Sequence, residues 1–394
     1  QDTATNKILA ITNTNGTLIA GQQLTVDSAS LTGDGNVLSQ GNLDVKLKQS
    51  VTNSGQIIAN GNATVETDAT LTNQGTLAAG NTLNTTAATI DNQAGGTLSA
   101  SNVKLQATDS HTLTNRGTIN GTETVLETQT LNNLGTGRIY GDHVAIGATT
   151  VTNAAENGTA PVIAARDRLD IGADTINNSG HAIMFSGGDV AIGGSLDTSK
   201  HATGRATTLN NDSATIEATG SADINAKSVN NTNQTFSTTT ENLAAQSITE
   251  YQGSGSPNRY TPGTPDVYVY NDESDHLHTP EGNYESWSAY NYTRNTSETR
   301  VASSDPAQIT SGGAMRITAD TVNNDKSRII AGGTLTGTIG TLNNTEVAGE
   351  RVTTDAGSVT SYWRDHHKGR DSTGSSSAGY NPAPTIQAIS LTPT

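Results

Sequence analysis

The chain has 394 residues and a net charge of −16, with 32% hydrophobic residues, 4% aromatic residues and no cysteine. So acidic a surface repels phosphate backbones, which excludes nucleic acid as a natural partner, and no run of 18 apolar residues is present to make a membrane-spanning helix. The scarcity of large apolar groups excludes a thick globular core, yet the charged fraction is only 15%, and Val, Ile and Leu recur at fixed intervals where a disordered chain would show none.

From the start of the chain one signature returns: an apolar residue, then Thr, Asn or Asp, then Asn. Ile11-Thr12-Asn13 is the first case, and Leu31-Thr32-Gly33 fills the next place with glycine. The third position is then Asn53, Asn73, Asn92, Asn115, Asn133, Asn153, Asn178, Asn211, Asn231, Asn324 and Asn344. Successive steps from position 13 are 20, 20, 20, 19, 23, 18, 20, 25, 33, 20, 93 and 20. Such a period is the mark of a repeat architecture.

Each cycle holds two further apolar clusters. A short one follows the Asn, as in Ile57-Ile58-Ala59, and an alternating one follows that, as in Leu43-Asp44-Val45 and Leu169-Asp170-Ile171. Alternation with period two puts one face inward and one outward. Three short strands per cycle, with Gly, Asn and Asp corners, are unstable alone and become stable when cycles stack about 4.8 Å apart. The expected fold is therefore all-β, a right-handed parallel β-helix of about 20-residue coils. The corner Asn is expected to bond its equivalents above and below in a structural ladder. Residues 1–231 form the first block of coils, and the longer cycles at 154–162 and 197–208 read as corner loops bulging outward.

Residues 232–308 leave the repeat. They contain nine of the fourteen aromatic residues and five of the nine prolines. Asp266–Tyr270 and Ser286–Thr293 alternate, and together suggest an antiparallel hairpin or small sheet. Tyrosine and tryptophan offer large, rigid, amphipathic faces with little entropy to lose. Tyr260, Tyr268, Tyr270, Tyr284, Trp287, Tyr290 and Tyr292 are thus candidate binding residues, with local packing as the competing role. The acids Asp272, Glu273, Asp275, Glu281 and Glu285, with His276 and His278, match no metal-ligand spacing, and neither a metal nor a cofactor is expected.

Coils return at 309–345. Residues 346–394 read as an irregular exit segment, with Trp363, His366 and His367 in a compact aromatic and basic cluster. No aligned carboxylate pair and no Ser-His-Asp arrangement is visible, so catalysis is not expected.

The Asn-Asn-x-Gly cycle with its Gly-Gly and Leu-x-Ile segments resembles the filamentous haemagglutinin repeat of two-partner secretion exoproteins, over residues 1–231 and 309–345. Ser361-Tyr362-Trp363-Arg364, Tyr380-Asn381-Pro382 and Leu391-Thr392-Pro393 also resemble a segment that follows such repeats, most like contact-dependent inhibition toxins of the CdiA type. That resemblance implies a secreted, cell-surface filament of a Gram-negative bacterium, exported through an outer-membrane transporter. It implies that the aromatic region recognises an outer-membrane protein or lipopolysaccharide on a neighbouring bacterium. The alternative is a filamentous adhesin that binds host or biofilm glycans. On this reading the chain is a fragment of a longer exoprotein and acts as a monomer.

Overall fold

The computed structural model describes residues 7–108, 111–272 and 274–391, so Glu273, Thr392 and Pro393 lie outside the described residues. Among these no helix occurs, and the strands of the repeat stack in parallel, coil upon coil. The chain is a parallel β-helix, and by contacts it divides into two units. One comprises Gln1–Phe236 with Ser304–Glu346, and the other Ser237–Ser303 with Val347–Thr394.

In the first unit the repeat becomes register. Leu71 pairs with Ile90, Ile90 with Leu113, Leu113 with Leu131 and Leu131 with Val151. Each of these apolar residues therefore stands directly over the next, fully buried. Burial of one such side chain contributes about 1.5–3 kcal/mol, and a column of them replaces the thick core that the composition cannot supply. Pairing identical positions also gives every backbone group a partner in the next coil.

The third residue of the signature turns inward beside that column. The side-chain amide nitrogen of Asn53 donates to Asn73 Oδ1 at 2.8 Å, Asn73 to Asn92 at 2.7 Å, and Asn92 to Asn115 at 2.7 Å. The chain of donations continues through Asn133, Asn153, Asn178, Asn211, Asn231 and Asn324 to Asn344. A second proton on the same nitrogen reaches a backbone carbonyl of the next coil, as Asn153 does at Ile183, so a buried amide loses nothing to desolvation.

Asn13 stands apart from this ladder. The residue in the coil above it is Gly33, whose φ of 100° is open to glycine alone. A Cβ there would collide with the Asn13 carbonyl, and Asn13 donates to the backbone of Asn36 at 3.0 Å instead.

The middle residue of the signature faces outward and builds a second ladder that the spacing did not predict. Asn210 donates to Asn177, Asn230 to Asn210, Asn323 to Asn230 and Asn343 to Asn323, each at 2.8 Å. These bonds run back toward the N-terminus, whereas the inner ladder runs toward the C-terminus. The two columns of amide dipoles thus oppose one another, while each is cooperative along its own length.

The longer cycle at 197–208 differs from the expected bulging corner. Ser195–Leu196 and Ala202–Thr203 form an antiparallel hairpin that folds back onto the coils. Leu196 approaches Gly147, and a Cβ on Gly172 would strike Ser195. At the far end the final strand of the first unit, Leu335–Thr345, is exposed throughout.

Two expectations for the second unit are corrected by its topology. The described residues of 346–394 are not an irregular exit. They form strands Ala348–Asp365, Ser372–Tyr380 and Thr385–Ser390, and they complete a six-stranded antiparallel sheet begun by Ser237–Asn242, Gln246–Gly253 and Trp287–Ser303. Nor do 266–270 and 286–293 pair with each other. Tyr268–Asn271 pairs with Asp275–Thr279 in a separate three-stranded sheet, while Trp287–Ser303 lies between the strands at 246–253 and 348–365. The physical reason is that a long central strand gains a full ladder on both edges, which a local hairpin cannot supply.

Candidate functional site

The aromatic residues singled out from the sequence all lie in the second unit, where alternation along the central strand puts Trp287 on one face and Tyr290 and Tyr292 on the other. On one face Trp287 is buried at 4% exposure. Its ring stacks on Tyr362 at 4.4 Å and 11°, and meets Tyr251 edge-on at 5.5 Å. Its indole nitrogen donates to the Asp275 carbonyl at 2.9 Å. Val267, Leu277 and Ala289 close this cluster, with Tyr260 and Tyr284 packed against it half-buried. Trp287, Tyr260 and Tyr284 therefore give most of their surface to folding. Of the candidates they are the core that this aliphatic-poor segment otherwise lacks.

Tyr268 is different, being 52% exposed. It stacks on His278 at 4.7 Å and lies 6.0 Å from Tyr270, which meets His276 edge-on at 5.4 Å. These two tyrosines belong to the three-stranded sheet and present an aromatic and imidazole surface.

The opposite face of the large sheet carries Tyr290, Tyr292 and Arg294. Arg259 lies over Tyr290 at 3.7 Å and donates to the Tyr380 hydroxyl at 2.9 Å. It also pairs with Glu250 at 3.4 Å. Tyr292 is buried at 5% exposure, and its phenol is pushed up to about 12 by burial and then by the Glu250 charge. Arg294 grips Asp355 with two hydrogen bonds of 2.8 Å, which raises the guanidinium and, chiefly by that same bond, holds the carboxyl below its ordinary value. Arg259, Glu250, Arg294 and Asp355 were not among the sequence candidates. Their only signal there is strand alternation, which needs the pairing partner to become meaningful.

Trp363 lies on this second face, 36% exposed, paired in register with Gly374. His366 is exposed and bridges Glu285 at 2.7 Å and Asp371 at 2.8 Å, and the Glu285 bond, followed by that to Asp371, raises its pKa. His367 is exposed and contacts Ser372 at 3.1 Å. No group of three or more His, Asp or Glu able to hold a metal ion occurs among the described residues.

The first unit contains one charged cluster that the sequence did not reveal. Asp170 is completely buried. It accepts from His143 Nε2 at 3.0 Å, from Arg168 at 2.6 Å, and from the backbone N–H of Ala202 in the overlying hairpin at 2.8 Å. His143 Nδ1 contacts Glu123 at 2.9 Å.

No protein-family model, no curated protein and no solved structure matches this chain. The parallel β-helix, with its repeat and its Asn ladder, is consistent with a filamentous haemagglutinin-like repeat protein.

Proposed function

We propose that this chain is the extracellular stalk and receptor-binding region of a contact-dependent growth inhibition exoprotein of the CdiA type. It leaves the cell through a two-partner secretion transporter and recognises an outer-membrane receptor on a neighbouring bacterium. It performs no catalysis. The observation that carries this reading is the partition of labour along the chain. The amide ladder continues from Asn231 to Asn324 across the aromatic excursion, while that excursion joins residues 347–391 in a separately cored unit.

A stalk requires an unbroken hydrogen-bonded column that needs no large side chains. A recognition element requires varied side chains on a rigid frame. The amide ladder of the first unit meets the former need, and the exposed Tyr268, Trp363 and His366 of the second meet the latter.

The test is binding of the labelled full chain to Gram-negative bacteria carrying defined deletions of outer-membrane proteins and of lipopolysaccharide sugars. Saturable binding lost in a single deletion background, and weakened by Tyr268→Ala or Trp363→Ala, is the expected result. Equal binding to every strain, or to none, would overturn the proposal. Binding confined to host-cell glycans would favour the adhesin alternative.

A further inference from the structure

Resting on the reading of the second unit as the receptor-binding element, we infer that the group it seats is an uncharged glycan, held in a serine-floored groove beside Trp363. Register creates the floor. Gln252 pairs with Ser288, Ser288 with Ser361, and Ser361 with Ser376. Four adjacent strands thus place one amide and three hydroxyls in a single transverse row on one face. Ser288 and Ser361 share a hydrogen bond of 3.1 Å, which leaves each hydroxyl with further acceptor capacity and the pair with a proton to donate.

One wall is aromatic. Trp363 follows Ser361 by two residues, so its ring stands on the same face beside the serine row. The Trp363 indole lies against Gly374, where a Cβ would come within 2.6 Å of the ring. On the other side of the row, outside the groove, Tyr290 lies under Arg259 and donates to Gln252 at 2.9 Å.

This chemistry selects among ligands. Sugars offer C–H faces that stack on aromatic rings and hydroxyls that both donate and accept. The residues lining the groove are Gln252, the Gly253–Ser256 turn, Ser286, Ser288, Ser361 and Trp363, together with the strand at Trp287 and Tyr362, whose rings belong to the other face, and no charged side chain is among them. A phosphate or acidic sugar calls for Arg or Lys, and a protein hot spot calls for a desolvated apolar centre. Neither is present in the groove. Ser254 and Ser286 also line a neighbouring groove with Tyr270, Asp272, His276, Asn283, Tyr284 and Glu285, so the surface runs on past a single ring, and the two carboxylates there accept from sugar hydroxyls and repel an anionic ligand.

The experiment titrates the full chain with a panel of uncharged hexose and N-acetylhexosamine oligosaccharides, read by tryptophan fluorescence and saturation-transfer NMR. Binding to intact and to protease-shaved bacteria is measured in parallel. We expect at least one oligosaccharide to bind and to compete with the cells, and protease shaving to leave cell binding intact. Trp363→Ala should weaken it at least tenfold. Ser288→Val, which keeps a strand-forming residue but removes the hydroxyl and narrows the floor, should do the same. If no oligosaccharide binds, or if both variants bind as the native chain does, the glycan inference falls. Cell binding abolished by shaving, with no saccharide bound, assigns a protein receptor and leaves the receptor-binding reading standing. Absence of binding to any cell overturns both.

Discussion

The side-chain amide of Asn231 donates a 2.8 Å hydrogen bond to Asn324, 93 residues further along the chain. The same amide accepts from Asn211, only 20 residues behind it. The solenoid therefore resumes its register after a long excursion as if no residues had intervened, because the ladder recognises position in the coil and not separation in sequence. Val229 over Val322 and Ile224 over Ile317 carry the apolar column across the same junction.

Breaking the ladder at a central position should be costly out of proportion to the size of the group. Asn153 is fully buried and serves Asn133, Asn178 and Ile183 at once. Asn153→Ala strands those partners and should cost about 1–3 kcal/mol. Asn153→Asp places an ionised acceptor against the Asn178 oxygen, and should cost more at neutral pH and less in acid. Chemical denaturation of the two variants at pH 7 and pH 4 measures both effects.

The His143 cluster predicts a pH dependence for the hairpin at 195–203. Both ring nitrogens face carboxylates, Asp170 and Glu123, so the protonated ring satisfies both. The Asp170 hydrogen bond, opposed by burial and aided by Glu123, raises the His143 pKa. Burial alone would raise Asp170, but the bonds from His143, Arg168 and Ala202 together hold it low. A raised folded-state pKa stabilises fully below the ordinary imidazole value of about 6.5 and is lost as pH climbs through the higher folded value. Other charges near the ring are the Lys200–Glu127 pair and Asp189 beside Arg168, and His201 lies 5.9 Å away. The melting-temperature gap between the native chain and His143→Gln should be widest at pH 5.5–6.5 and close above it. A gap that stays constant as pH rises from 5.5 through the raised folded value would remove the charge argument.

Both tryptophans, Trp287 and Trp363, belong to the second unit, so their fluorescence reports that unit selectively. Trp287→Ala removes the centre of its small core and should cost about 3–5 kcal/mol. Unfolding followed at Trp363 should shift to much lower denaturant. Circular dichroism of the solenoid strands should keep its own transition, since the two cores share no residue.

Arg259 should not tolerate lysine. Its guanidinium stacks on Tyr290 and bonds Tyr380 together, a geometry that an ammonium cannot reproduce. Arg259→Lys should lower the stability of the second unit by about 0.5–2 kcal/mol, read by the same fluorescence. An unchanged midpoint would show that the stack contributes nothing.

The phenol of Tyr292, pushed up to about 12 mainly by burial, should be late to ionise in a spectrophotometric titration. Because the folded state holds that proton more tightly, stability is retained below pH 10 and lost as pH rises through the folded value. Tyr292→Phe should remove this component of alkaline destabilisation.

What the sequence by itself determined is everything that repeats. An apolar residue and an Asn returning every 20 residues dictate parallel stacking, because each side chain then meets a copy of itself and alternation alone settles which face is inward. The strands, the buried Leu, Ile and Val and the inner ladder from Asn53 onward were legible for this reason. Gly33 escaped because its left-handed backbone, not its place in the cycle, governs the local geometry. Only the tertiary structure decided the second unit. Trp287 against Tyr362, Ser288 beside Ser361 and Arg294 on Asp355 are pairings over more than sixty residues in a segment with no period. Antiparallel register between distant, dissimilar strands is set by the sum of side-chain contacts they make once together, and no local pattern encodes that sum. The candidate tyrosines were visible as a cluster. Which of them pack and which face solvent was settled only when the strand at 348–365 took its place beside Trp287–Ser303.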